Sequence, residues 1–154
     1  MPILYIMCGP SGCGKTTWAH KEMQDTMYVS RDAIRYSIIK EDEDYFSHEK
    51  EVFKEFVSEI ASRIIMGCDV IADATHLNEF SRRKLTQALD RYTSEYKIIY
   101  VVFNVCADTC VTRNANRTGR ANVPENIIRN MCRDFRTPTK DEDERVIDII
   151  EVGE

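Results

Sequence analysis

The most constraining feature of this chain is a glycine-rich segment near its start. The segment GPSGCGKT occupies residues 9–16 and fits the pattern GxxxxGK[ST]. It follows the apolar run ILYIMC at residues 3–8 and precedes a stretch with helical character at residues 15–25. Glycines allow backbone angles that turn several N–H groups onto one phosphate, and the following helix adds its positive dipole end. The sequence therefore predicts a strand, a phosphate-binding loop and a helix, in that order.

The side chains of this loop have predicted tasks in binding a nucleotide. Lys15 would reach the β- and γ-phosphates, and the Thr16 hydroxyl would bind Mg²⁺. The residues predicted to contact the nucleotide here are Gly9, Ser11, Gly12, Cys13, Gly14, Lys15, Thr16 and Thr17. The predicted cofactors are accordingly ATP and Mg²⁺, with Thr16 as the metal-binding residue.

Further apolar runs alternate with segments of helical periodicity along the rest of the chain. Predicted strands cover residues 27–30, 68–72, 97–105 and 145–152, and predicted helices cover 31–40, 46–66, 80–92, 107–116 and 124–136. Strands that alternate with helices form a parallel sheet covered on both faces. We therefore expect an α/β P-loop NTPase or kinase fold: a five-stranded parallel sheet, helices on both faces and a small helical lid. A length of 154 residues favours one domain over residues 1–154.

Two residues after the second predicted strand are candidates for binding a second substrate. Ligands of such sheets bind at the carboxyl ends of the strands, where Asp32 and Arg35 should lie on one helix face. An acceptor hydroxyl that attacks a γ-phosphate needs a carboxylate to orient it and take its proton, and Asp32 fits that role. The alternative is that Asp32 only caps the helix. Arg35 could hold a phosphate of the acceptor or form a surface ion pair.

The third predicted strand leads into another group of polar residues. Asp73 ends the run VIAD and could hold Mg²⁺ through water or orient an arginine; the alternative is that it only caps a helix or a turn. Thr75 and Asn78 follow in the same loop, as substrate contacts or as ordinary turn residues. Asp73 and Thr75 are therefore predicted to belong to the substrate site.

Arginines near the carboxyl-terminal third are candidates for a lid over the nucleotide. Arg113 and Arg117 are four residues apart and share a helix face, and Arg120 follows in a turn. Such side chains could neutralise charge on the transferred phosphoryl group, while a closing lid excludes water. The alternative is a solvated basic surface. We predict that Arg113 and Arg117 contact the nucleotide and that Arg117 is catalytic, together with Lys15 and Asp32.

Charge and hydropathy limit the setting in which the chain acts. The formal net charge is −5, although residues 113–136 contain six arginines and only two acids. Residues 141–154 contain seven acids and one base. The apolar run at residues 3–8 is too short for a signal peptide or a membrane span. We therefore expect a cytoplasmic protein with no membrane partner, and a basic surface that attracts phosphates locally.

The loop motif by itself is shared by kinases, GTPases and ATPases. A guanine-reading NKxD is absent, and Asp73 is followed by Ala-Thr-His rather than by the spacing DxxG. The chain is also short for a mechanical ATPase. A kinase for a hydroxyl acceptor remains, and a nucleotide-dependent regulatory protein is the alternative from a different class.

Several blocks together resemble the kinase domain of the 5′-hydroxyl polynucleotide kinase family. They are GPSGCGKTTW at 9–18, SRDAIRYSI at 30–38, DATHLN at 73–78, TRNANR at 112–117 and VPENIIRNM at 123–131. The resemblance implies ATP- and Mg²⁺-dependent phosphorylation of 5′-hydroxyl ends of DNA or RNA, with nucleic acid ends as partners. It also implies a possible homo-oligomer, because related kinases assemble.

The resemblance also implies roles for individual residues. Asp32 would be the general base, and Arg35 would clamp the 3′ phosphate of the acceptor. Arg117, with Arg113, would contact the ATP phosphates, and Asp73 would support the acceptor site. The DATHLN loop departs from the phage form of the family, and the same scaffold serves kinases for small molecules or tRNA-linked hydroxyls. A kinase for one of those acceptors is therefore the alternative function.

Overall fold

A computed structural model describes residues 1–119 and 122–153 of the chain. Its strands are β1 Ile3–Cys8, β2 Met27–Ser30, β3 Val70–Asp73, β4 Lys97–Phe103 and β5 Val146–Val152. Its helices are α1 Lys15–Glu22, α2 Arg31–Ile38, α3 Glu49–Ile65, α4 Glu79–Leu89, α5 Ala107–Ala115 and α6 Glu125–Asp134, with a 3₁₀ helix at Lys140–Glu142. The strands form one parallel sheet in the order β2-β3-β1-β4-β5, which confirms the predicted sheet.

The two faces of the sheet are covered by different helices. Alternate residues of β1 belong to separate apolar clusters, with Leu4 and Ile6 in one and Tyr5 and Met7 in the other. The first cluster packs against α2, α3 and α4, and the second against α1, α5 and α6. Because side chains of a strand alternate between faces, a strand covered on both sides must be apolar throughout. This explains the continuous apolar run that precedes the glycine-rich loop.

Strand register brings the predicted site residues to one edge of the sheet. Ser30 at the end of β2 pairs with Asp73 at the end of β3, and Ile6 of the central strand pairs with Ala72. The loop after β1, the start of α2 and the loop after β3 therefore meet at the carboxyl edge. This is the edge where ligands of doubly wound sheets bind.

The main correction to the predicted elements concerns the start of α3. The prediction began this helix at residue 46, but the structure begins it at Glu49. A turn precedes it, in which the Ser47 backbone N–H donates to the Asp44 carbonyl at 3.0 Å. The turn brings Tyr45 and Phe46 next to Arg35, where their rings lie 4.3 and 5.8 Å from its guanidinium carbon. The predicted helix includes Phe46, but in the structure Phe46 and Tyr45 lie in the turn and contact Arg35.

Two acids of the carboxyl-terminal acidic segment, Glu142 and Asp143, are built into the fold. Glu142 accepts two hydrogen bonds from Arg82, at 2.8 and 3.1 Å, and both side chains are buried. Asp143 pairs with Arg145 at 2.8 Å, and Arg145 also bonds Asp90. Two of the seven acids in this segment are therefore paired with arginines. None of the helices among residues 1–119 and 122–153 is long and apolar enough to cross a membrane.

Candidate active site

The glycine-rich loop adopts the backbone that its sequence predicts. Gly12 and Gly14 have φ angles of 83° and 95°, in the left-handed region that side chains disfavour. A Cβ atom at Gly12 would lie 2.4 Å from the Cys110 carbonyl oxygen of α5. The loop therefore needs glycine at Gly12 for two independent reasons, its backbone angle and its close packing against α5.

Two cations close on the carbonyl groups of the loop. Lys15 Nζ donates to the carbonyls of Gly9 and Pro10, at 2.8 and 2.9 Å. Arg113 Nη1 donates to the Cys13 carbonyl at 3.0 Å. The loop is therefore held by hydrogen bonds from its own lysine and from an arginine of α5.

A carboxylate and two hydroxyls meet beside the loop. Thr16 Oγ1 donates to Asp73 Oδ2 at 3.0 Å, and the Tyr28 hydroxyl donates to the same oxygen. Burial and the neighbouring Asp73 charge raise the pKa of Tyr28 well above its usual value, so the phenol stays a donor. These are hard oxygen ligands of the kind that Mg²⁺ prefers, so the residues fit the predicted metal site.

Across the cavity, Arg35 is the centre of a charged network. It is 5% exposed, and its Nε and Nη2 donate to the two carboxylate oxygens of Glu49 at 2.7 and 3.0 Å. Its Nη1 donates to Asp32 and to the Tyr45 hydroxyl, which in turn donates to Asp32 at 2.6 Å. Arg35 is therefore more than one half of a surface ion pair, because its own side chain is buried, although Asp32 is 53% exposed.

The charges in this network set the ionisation of Glu49. Burial would raise the pKa of its carboxyl, but hydrogen bonds and charges from Arg35 and Arg31 outweigh that effect and lower it. Burial and the Asp32 charge raise the pKa of the Tyr45 phenol far above its usual value. At neutral pH the network therefore contains an ionised Glu49 and a protonated Tyr45.

Two polar residues of the strand ends serve as helix caps. Ser30 Oγ accepts from the Ala33 backbone N–H at 3.1 Å, so Ser30 rather than Asp32 caps α2. Asn78 caps α4 by accepting from the Ser81 backbone N–H at 2.8 Å. The Asp32 carboxylate instead accepts hydrogen bonds from Tyr45 and Arg35. Asn78 has a local structural role, in line with the second of the two roles predicted for it.

The two sides enclose one cavity of about 440 Å³. The predicted site residues that line it are Ser11, Gly12, Gly14, Lys15, Thr16, Asp32, Arg35, Asp73, Thr75 and Arg117. Of the remaining predicted residues, Gly9 and Cys13 belong to the loop but are buried, whereas Thr17 and Arg113 are exposed. The structure thus brings residues from four separate sequence blocks to one cavity.

The arginine-rich region divides into structural and cavity-lining residues. Arg129 and Arg133 pair at the surface with Asp108 and Asp134, while Arg117 faces the cavity. Arg120 lies outside the described residues. The predicted basic surface is therefore partly neutralised, and Arg117 is the cavity-lining arginine predicted for the lid.

A buried amide joins α5 to the segment that precedes α6. Asn114 of α5 is 4% exposed and exchanges two hydrogen bonds with the Val123 backbone, at 2.5 and 2.9 Å. This amide holds the chain before α6 to α5 as a peptide group would, which explains the first of the two asparagines in the TRNANR block. The position of α5 in turn sets where Arg117 lies.

Several residues of the site were missed by sequence reasoning. They are Tyr28, Tyr45, Phe46, Glu49 and Met131, all near the residues already described. Tyr28 alone carried a usable signal, because it lies on a strand that ends at the ligand-binding edge. Phe46, Glu49 and Met131 fall within predicted helices, and Tyr45 directly precedes one, so the sequence pattern gave no sign that they belong to the site.

Comparison with solved structures agrees with the fold. A chain of the Pnkp1/Rnl/Hen1 RNA repair complex is 22% identical with a TM-score of 0.73, covering 86% of this chain and 43% of that chain. A sugar kinase from Janibacter sp. is 17% identical with a TM-score of 0.66, covering 99% and 85%. Shikimate kinase from Acinetobacter baumannii is 20% identical with a TM-score of 0.58, covering 100% and 85%. This protein spans less than half the length of the repair-complex chain.

Sequence comparison assigns the family. No curated protein sequence matches the chain significantly. A family model described as an AAA domain, AAA_33, matches residues 4–138. Together with the parallel sheet and the glycine-rich loop, this match shows that the chain belongs to the AAA_33 family and carries a nucleotide-binding domain of the P-loop kinase type.

Proposed function

We propose that this protein is an ATP-dependent polynucleotide kinase that transfers the γ-phosphate to a 5′-hydroxyl end of DNA or RNA. The observation that supports this most directly is that Asp32 and Arg35 line the same cavity as Lys15 and Thr16. A carboxylate facing a phosphate-binding loop is the arrangement that hydroxyl phosphorylation requires. The polynucleotide acceptor rests on the resemblance of the sequence blocks around these residues.

Residues on the loop side would bind and polarise the nucleotide. Lys15 and Arg117 would place positive charge on the phosphates, and Thr16 with Asp73 would hold Mg²⁺. When bound, Mg²⁺ neutralises charge on the phosphate oxygens. Positive charge at the transferred group lowers the barrier because it meets charge that spreads over the phosphoryl oxygens.

Residues on the opposite side would orient the acceptor. Asp32 would accept the hydroxyl proton as the acceptor oxygen bonds to the γ-phosphorus and the bond to the bridging oxygen of ADP breaks. Tyr45 and Arg35 donate to the Asp32 carboxylate and hold it in place. Its side chain is 53% exposed, so an entering alcohol can reach it.

A small-molecule hydroxyl kinase is the second candidate, and two observations favour it. Glu49 and Asp32 already match the charge of Arg35, which leaves less attraction for an acceptor phosphate. A second cavity of about 330 Å³ opens beside Tyr45, and its rim contains Glu41, Glu43 and Asp44. Carboxylates at that rim would repel a polynucleotide backbone and favour a neutral or cationic acceptor.

The two candidates are separated by a panel of acceptors with γ-labelled ATP. The panel contains a 5′-hydroxyl oligonucleotide of DNA and of RNA, a nucleoside 3′-phosphate, the matching nucleoside, and neutral sugars and polyols. We expect label on the oligonucleotides, and a preference for the nucleoside 3′-phosphate over the nucleoside. An oligonucleotide that already carries a 5′-phosphate is the matched control and should accept no label.

Arg35→Lys makes the same panel sharper. If Arg35 holds the 3′ phosphate, this variant should lose the preference for the nucleoside 3′-phosphate, because a lysine has a single nitrogen and cannot keep the bonds to Glu49 while also contacting a phosphate. Transfer to a sugar or polyol without transfer to an oligonucleotide would reject the polynucleotide proposal and support the small-molecule candidate. ATP binding without transfer to any acceptor would support a regulatory protein.

A further inference from the structure

The loop after β3, residues 74–78, is held against the central strand at two points. The Gly9 backbone N–H donates to the Thr75 carbonyl at 2.9 Å, and His76 Nδ1 donates to the Met7 carbonyl at 2.6 Å. Met7 and Gly9 flank Cys8, the last residue of β1, so both bonds are made where β1 passes into the glycine-rich loop. The loop that carries Thr75 is thus fastened to the start of the nucleotide-binding loop.

His76 is unusual in both its backbone and its surroundings. Its φ angle is 42°, in the left-handed region, and the residue is 5% exposed. A residue other than glycine keeps such an angle where surrounding contacts hold it. Burial lowers the pKa of its imidazole to about 4, so the ring is neutral at pH 7. A carbonyl only accepts hydrogen bonds, so Nδ1 must carry the proton.

A second set of contacts holds the same loop to other segments. Arg82 Nη1 of α4 donates to the His76 carbonyl at 2.9 Å, while Glu142 accepts hydrogen bonds from Nε and Nη2 of the same guanidinium. The Arg136 backbone N–H donates to the Leu77 carbonyl at 2.8 Å. The loop is therefore bonded to α4, to the segment after α6 and to β1, and the imidazole is its side-chain link to β1.

We propose that His76 is a positioning residue, whose bond to Met7 sets the spacing between the glycine-rich loop and the Asp73–Thr75 edge. This inference rests on the phosphotransferase function proposed above. The contact that depends on this spacing is the 3.0 Å bond between Thr16 Oγ1 and Asp73 Oδ2, across which Mg²⁺ would be held. If the His76 link is lost, the pairing of Asp73 with Ser30 and the Gly9–Thr75 bond remain, but one of the contacts that hold Asp73 near Thr16 is removed.

Two substitutions separate the hydrogen bond from the backbone angle. His76→Asn keeps a donor near the position of Nδ1, and asparagine tolerates a left-handed backbone. His76→Gly tolerates the angle equally well but has no donor. His76→Gln is a further variant with an amide at the Nε2 position, out of reach of the Met7 carbonyl, for use if the Gly variant does not fold.

The readout is the affinity for ADP with Mg²⁺ and with EDTA, measured well below the melting temperature of each variant, together with turnover. For His76→Gly we expect the gain in ADP affinity from Mg²⁺ and the turnover to fall, each roughly tenfold to a hundredfold. Affinity in EDTA should change little, because the glycine-rich loop itself is intact. His76→Asn should recover most of both losses, and His76→Gln should not.

Equal behaviour of the Asn and Gly variants would overturn the proposal, because it would show that the hydrogen bond is not needed. A lower melting temperature with unchanged Mg²⁺ dependence and turnover would overturn it too, since that is the signature of a purely structural residue. If the wild-type protein phosphorylates no acceptor, the proposed function fails. The Mg²⁺-dependent ADP affinities then still decide the role of His76.

Discussion

The two sides of the cavity are built in different ways. On the nucleotide side, the shape of the loop depends on its backbone. Gly12 and Gly14 provide the positive φ angles, and Lys15 donates hydrogen bonds to carbonyl groups of the same loop. On the acceptor side, the contacts are between side chains, with Arg35 bonded to Asp32, Tyr45 and Glu49 from three different segments. The bonds of Lys15 join residues of one short segment, whereas the bonds of Arg35 to Glu49 form only after α2 and α3 have packed together.

The difference explains why one side is easier to recognise than the other. A backbone loop needs glycines at fixed spacing, so its sequence is restricted. A network of side chains can be rebuilt with other residues on the same helices, so one fold can serve many acceptors. The solved neighbours agree with this view, since they include a sugar kinase, shikimate kinase and a chain of an RNA repair complex.

The largest effect is expected on the nucleotide side, from Lys15→Ala. Phosphoryl transfer should fall on the order of ten thousandfold, because the side chain would stabilise charge on the transferred group. The measurement is label transfer from γ-labelled ATP. Lys21→Ala, an exposed lysine on the same helix, is the matched control and should retain activity. Transfer that survives in the Lys15 variant would remove the main distinction between the two sides.

The next largest effect is expected from Asp32→Ala on the acceptor side. Turnover should fall on the order of a thousandfold, because Asp32 is the proposed acceptor of the hydroxyl proton. Affinity for ATP, measured by calorimetry, should change little, since the acceptor side does not hold the nucleotide. Asp42→Ala, an exposed acid in the neighbouring turn region, serves as control. A large loss of ATP affinity in the Asp32 variant would show that the two sides are not separate.

A smaller effect is expected from Tyr45→Phe, which tests whether the acceptor side acts as a network. The variant keeps the ring over Arg35 but loses the hydroxyl that donates to Asp32. Turnover should fall roughly tenfold, the value of one hydrogen bond to a charged group. Steady-state kinetics with a saturating acceptor provide the measurement. An unchanged turnover would mean that Arg35 alone orients Asp32.

The smallest effect is a difference in how the two sides respond to acid. The pKa of His76 falls from 6.5 to about 4 on folding, so the unfolded chain binds more protons between these values. Its contribution to stability is complete above pH 6.5 and is lost as the pH falls toward 4. The pKa of Glu49 is lowered from 4.5, so its contribution is lost only below that pH.

Urea unfolding at a series of pH values measures this difference. Between pH 6.5 and 4, the free energy of unfolding of the wild-type protein should fall relative to that of His76→Asn, because asparagine does not titrate. The free energy of unfolding of the wild-type protein should also fall below pH 4.5 as Glu49 becomes protonated, and this fall should be absent in Glu49→Gln. Identical pH profiles for the wild-type protein and the His76 variant would contradict the buried, neutral imidazole.

Much of the fold followed from local patterns in the chain. The apolar runs and helical periodicities predicted five strands and their helices, because a strand buried on both faces must be apolar along its whole length. The spacing of glycines predicted the loop at residues 9–16, since its backbone angles exclude most side chains. The placement of Asp32 and Asp73 at the ligand-binding edge followed from the general rule for parallel sheets.

What local patterns did not predict depends on contacts between distant segments. Glu49 lies 14 residues from Arg35, and its bonds to the guanidinium form only when α3 packs on α2. His76 meets Met7 across 69 residues, and its backbone angle is kept by that packing. Hydrophobic periodicity predicts which face of a helix or strand is buried. It does not predict which polar groups meet there, because hydrogen-bond partners depend on how distant segments pack together.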